Sequence, residues 1–172
     1  MFCHGMAQGE DQPDVQLIRP NRDKAASKAT RAVVVLLLLA SIGLLLIVTI
    51  GGWAKLAGMQ PVDLAYILVY LIMAYYVARW NRGVLPMAAA LAIILGIFAA
   101  IAGPEWFDRD RTGFTNPALP AGVLGLFTLL IVPVQVLLIA FAMRGFQQAW
   151  NVEVEVPAGE TYQPELHQPR TA

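Results

Sequence analysis

Four long apolar runs, none holding an Asp, Glu, Lys, Arg or His, leave this chain few folds to choose from. A hydrocarbon core of roughly 30 Å, at about 1.5 Å rise per residue, needs about 20 apolar residues for a helix to cross it. Residues 32–50 and 84–102 supply 19 each, and residues 119–143 supply 25. Residues 64–78 supply only 15, so a second span over 63–79 reaches across if Asp63 sits at one interface and Arg79 and Trp80 snorkel to the other. Lipid offers backbone N–H and C=O groups no partner, so segments of this kind must be helices. The composition agrees: 58% of the 172 residues are hydrophobic and 14% charged, where a soluble domain carries about a quarter charged residues. The expected fold is therefore all-α: an integral membrane protein with four transmembrane helices in an antiparallel bundle.

Orientation follows from the Lys/Arg bias of the short flanks. Arg19, Arg22, Lys24, Lys28 and Arg31 precede the first run, Arg79 and Arg82 lie between the second and third, and Arg144 closes the fourth. With four spans these eight share one face, against Lys55, Arg109 and Arg111 on the other. The first face is expected to be cytoplasmic, with both termini on it. A three-span arrangement would split the eight, which argues independently for the short second span. Trp53, Tyr66, Trp106 and Phe107 would mark the outer interface, and Tyr75, Tyr76, Trp80, Phe146 and Trp150 the inner one. The first run reads as an uncleaved anchor, because it starts late and no small-residue cleavage site follows it. The alanine- and leucine-rich spans and the preference for Arg over Lys point to a bacterial inner membrane.

Outside the spans the chain changes character. Residues 1–30 are polar, with Pro13 and Pro20, and are expected to be a disordered cytoplasmic tail, or one that folds only against a partner. Residues 31–150 form the transmembrane domain. Residues 151–172 form an acidic, proline-containing cytoplasmic tail, in which Val152-Glu153-Val154-Glu155-Val156 alternates with the period of a short strand. Pro61 and Asp63 suit the first turn of the second helix. Gly103-Pro104 is expected to stop the third helix, and residues 145–150 to carry the fourth along the membrane surface.

The chemistry of the spans is defined by what they lack. Proton relays, voltage sensors and ion-coupled transporters place ionisable groups inside the membrane. His4 and His167 lie in opposite tails and cannot ligate a haem between helices. Cys3 and His4 are two mobile ligands, too few for a metal site. In the outer loop Asp108, Asp110, Thr112 and Gly113 match the opening of a calcium-binding loop, but its twelfth position is Leu119, where a bidentate Glu belongs. No catalytic residue, cofactor or metal is expected, and the balance of twelve basic and twelve acidic residues gives no basic character to attract nucleic acid.

Two features remain as candidates. Tyr70 and Gln135, the latter two residues after the helix-distorting Pro133, are the polar groups deepest in the spans, with Ser41, Thr49 and Thr128 able to bond back to their own helices. They either form a small polar pocket or hold helices together. Ala88, Ala92, Gly96 and Ala100, continued by Gly103, form a stripe of small residues that allows close helix approach, either inside the bundle or against a protein partner or second copy. The leading expectation is a non-catalytic accessory, assembly or scaffold subunit of a larger membrane complex. A facilitative permease for a small neutral or lipid-like substrate, oligomeric in form, is the alternative. A lipid-modifying enzyme using the outer loop is the third reading.

Overall fold

The computed structural model describes residues 15–56, 58–108 and 119–157. Its order is β1 (Val15–Ile18), α1 (Pro20–Asp23), α2 (Ala25–Gly51), a single 3₁₀ turn at Trp53–Lys55, α3 (Gln60–Ala78), α4 (Val84–Asp108), α5 (Ala121–Gln147) and β2 (Val154–Pro157). The helices α2 to α5 are each long and apolar enough to cross a membrane, which makes this a multi-pass membrane protein. The short second span is a complete helix of 19 residues, about 28 Å long at the α-helical rise. Proline at its start and Asp63 in its first turn are where helix-start chemistry places them.

Helix α4 packs chiefly on α5, while α2 packs on both α5 and α3. Helix α3 meets α4 only lightly and buries the smallest share of its apolar window, 22% against 33% for the other three. The core between them contains Val34, Leu38, Tyr70, Val77, Leu85 and Leu138, all fully buried. At one end of the bundle, Arg31 at the start of α2 donates to the carbonyl of Ala78 at the end of α3, and Gly145 in the last turn of α5 lies against Leu85 of α4.

The stripe on α4 largely serves this internal packing. Ala88 and Ala92 are fully buried, and Gly103 is also buried. A Cβ placed on Gly103 would fall 2.5 Å from Leu129 Cδ2 of α5, so glycine there lets that leucine pack directly against the α4 backbone, and any side chain would make it shift. At Gly96 a Cβ would stand at an ordinary 3.5 Å from Gln135, and Ala100 is exposed.

Two expectations about chain ends need correction. Helix α4 does not stop at Gly103-Pro104 but runs through Pro104 to Asp108. Proline forfeits one hydrogen bond to the preceding turn, and the added turn carries Trp106 to a site where it is only 2% exposed. That indole is packed where a Cβ on Gly52 or Gly125 would collide with it or with its neighbour Phe107. Burying an aromatic of this size is worth more than one helical hydrogen bond.

The second correction concerns residues 15–30, assigned above to a disordered tail. They form β1, α1 and the first six residues of α2. The partner they fold against is the other tail: β1 pairs antiparallel with β2, Val15 opposite Pro157 and Ile18 opposite Val154. Of the alternating stretch 152–156, Val154, Glu155 and Val156 lie in the strand, and Val152 and Glu153 precede it. Helix α5 ends at Gln147, short of a surface extension to Trp150. Cys3, His4, His167 and residues 109–118, with the calcium-loop pattern, lie outside the described residues.

Candidate functional site

Tyr70, Gln135 and Ser41 come from three different helices and meet in the middle of the bundle. Tyr70 Oη donates to Gln135 Oε1 at 3.0 Å, Gln135 Nε2 donates to Ser41 Oγ at 2.9 Å, and Ser41 Oγ donates to the Leu37 carbonyl at 2.8 Å. All three side chains are essentially inaccessible, at 0%, 1% and 0% exposure. The chain of bonds ends on a backbone carbonyl, and among the described residues no buried side-chain polar atom lacks a partner. In an apolar medium an unpaired hydroxyl or amide is costly. The arrangement thus fixes the register of α2, α3 and α5 against one another, with the polar groups of Tyr70, Gln135 and Ser41 engaged with one another or with backbone. Pro133 sits on the exposed face of α5, which stays helical through it. Of the other hydroxyls, Thr128 bonds back to Leu124 as expected, whereas Thr49 Oγ1 reaches Asp63 Oδ2 on α3 at 3.2 Å. The Lys55 side chain lies outside the described residues.

A second constellation, missed in the sequence, gathers where the two tails meet the bundle. Arg19 pairs with Glu153, its Nε at 2.9 Å. Asn21 donates to the Ala149 carbonyl and Arg22 to that of Trp150. Partial burial and the neighbouring Arg19 lower the affinity of Arg22 for its proton, with Glu153 acting in the opposite sense. Trp150 is fully buried, edge-on to Trp80 at 5.5 Å between ring centroids, and its Nε1 donates to Gln148. Arg31 lies over Trp80 at 4.2 Å.

Backbone strain marks the same place. Among the described residues the two non-glycine residues with positive φ are Trp80 at 64° and Ala149 at 49°. Trp80 occupies the position after the C-cap of α3, with its N–H on the Val77 carbonyl and that of Asn81 on Tyr76. This closure usually takes glycine, and a side chain there costs about 1–2 kcal/mol. A cation over the ring and an aromatic pair contribute about 1 kcal/mol each, enough to hold the tryptophan there. The sequence signals were the aromatics at 80 and 150, read only as interface markers.

A third feature is a cavity of about 110 Å³ at the opposite end, where α3 and α4 part. It is lined by apolar side chains of α2, α4 and α5, with Thr128 and Asp63 as its polar residues. Among the described residues no group of three His, Cys, Asp or Glu side chains could hold a metal ion. Comparison with known proteins finds no matching family model, no matching curated protein and no matching solved structure, so a functional reading rests on this geometry alone.

Proposed function

We propose that the chain is a non-catalytic accessory, assembly or scaffold subunit of a larger complex in a cell membrane, with both tails in the cytoplasm. The observation that carries this reading is the closed core, in which the deep polar groups of three helices bond one another. A permease would need that path open. What the bundle offers is its surface, and one part of it is shaped. A groove of about 290 Å³ runs between α4 and α5, with Gly96 and Ala100 from the small-residue stripe and Ile93, Ile97, Val132 and Val136 around them. Lipid gives helices no hydrophobic drive to associate, so close contact at such a groove is what would hold a partner's span.

Gentle detergent extraction followed by native mass measurement tests the proposal. A hetero-complex is expected, and Ala100→Leu, at an exposed position, should accumulate normally yet lose the partner. A discrete homo-oligomer of this chain alone would overturn the proposal in favour of the permease. Sidedness has its own check. In a variant lacking Cys3, single cysteines at Lys28, Arg82 and Glu160 should be protected from an impermeant thiol reagent added outside, and one at Asp110 should react. Outside labelling at Glu160 would rule out the four-span topology with both ends in the cytoplasm.

A further inference from the structure

The cavity between α3 and α4 has one property the accessory role does not use. Asp63 faces into a space otherwise walled almost wholly by hydrocarbon and aromatic rings, among them Leu45, Phe98, Trp106 and Ile131. The carboxyl is about half-buried. Among the described residues its hydrogen-bond donor is Thr49, which engages Oδ2, and no ion pair reaches it. Among the described residues the other oxygen has no donor, and an acidic group in surroundings this apolar favours a positively charged partner. Helix-start chemistry explains why an acid stands in the first turn of α3. It does not explain why the helix beside it stands away and leaves a hole.

We propose that this cavity is a binding site for a lipophilic ammonium compound, its cationic head on Asp63 and its apolar body against α4. The aromatic lining fits the same chemistry, because the faces of Phe98 and Trp106 attract organic cations as well as hydrocarbon. A second cavity of about 240 Å³ shares Leu56, Met59, Phe98, Ala102 and Trp106 with the first and continues toward Glu105, so the apolar body has room beyond the carboxylate. Because α3 and α4 touch so lightly, the entry is lateral, from the membrane. The ammonium can belong to a free alkylamine or to the head group of an aminophospholipid.

Photolabelling separates these cases. The full chain in nanodiscs of a phospholipid without an amine is exposed to a diazirine-bearing alkylammonium probe, and the labelled peptides are mapped by mass spectrometry. Labelling is expected on the peptide carrying Phe98 to Trp106, falling at least tenfold in Asp63→Asn and equally low for the same probe with a neutral hydroxyl head. Ala102→Phe, which fills the cavity and leaves the carboxylate in place, should also abolish it, and serves should Asp63→Asn fail to fold. Repeating the experiment with a diazirine-bearing phosphatidylethanolamine identifies the source: labelling by both probes assigns the site to the lipid head group, and labelling by the alkylammonium alone to a free amine. Labelling that persists undiminished in Asp63→Asn and Ala102→Phe, or that does not distinguish the charged head from the neutral one, would overturn the proposal.

Discussion

Truncating Trp150 to alanine is expected to cost about 3–5 kcal/mol, the range for deleting a fully buried large aromatic. The indole is 0% exposed, contacts Trp80 edge-on and packs within about 3 Å of where a Cβ on Gly145 would lie. Its loss should do more than leave a void. Trp80 holds a left-handed backbone conformation at the end of α3 and loses its aromatic partner, with the cations of Arg31 and, farther off, Arg22 remaining over its ring. The backbone at 149–150 accepts from Asn21 and Arg22, so the pairing of β1 with β2 should loosen together with it. Hydrogen exchange is the sharper readout: protection across Val15–Ile18 and Val154–Pro157 should vanish in Trp150→Ala while the middles of α2 and α5 keep theirs. As a control, Arg19→Ala removes the ion pair to Glu153. Both side chains are nearly half exposed, at 45% and 40%, so that change should cost less than about 1 kcal/mol. If Arg19→Ala opens the strands as fully as Trp150→Ala does, the tails are held by charge and not by the buried ring.

How much of this was legible depended on whether a signal was local. The four spans were, since hydrophobic length is counted along the chain, and the charge bias recovered even the short α3. The pair at the centre was half legible. Tyr70 and Gln135 stood out as polar residues at membrane depth, but that Ser41 completes the chain depends on how α2 rotates against α5, which no local pattern encodes. The stripe from Ala88 to Gly103 announced close packing without naming the helix on the other side; the fit of Gly103 to Leu129 supplies it. Pro104 was misread because the rule that proline ends helices weighs one hydrogen bond and omits what lies beyond. Here it was the burial of Trp106. The strand at Val154–Pro157 showed its alternation, but Val15–Ile18 is four residues in a polar tail, and its partner lies more than a hundred residues away.

The second large effect is expected from Gln135→Leu. The leucine is close in volume, so packing changes little and the loss is polar. Gln135 accepts from Tyr70 and donates to Ser41, and both bonds go at once. Ser41 keeps its bond to the Leu37 carbonyl, but the Tyr70 hydroxyl is left with no partner at 0% exposure. Interhelical hydrogen bonds in membranes average about 0.6 kcal/mol, reaching about 1.7, and an orphaned buried hydroxyl adds a penalty of about 1–3 kcal/mol. A destabilisation of about 2–3 kcal/mol is therefore expected, measured by reversible unfolding in mixed micelles. Tyr70→Phe removes the hydroxyl and should cost about 1 kcal/mol. The double variant should cost less than the sum, because the phenylalanine leaves nothing to orphan. That non-additivity is the signature of a structural link between helices. If instead Gln135→Leu keeps full stability while the complex or activity that depends on the protein is lost, the glutamine serves something that passes through the core, and the closed-core argument for an accessory subunit gives way to the permease.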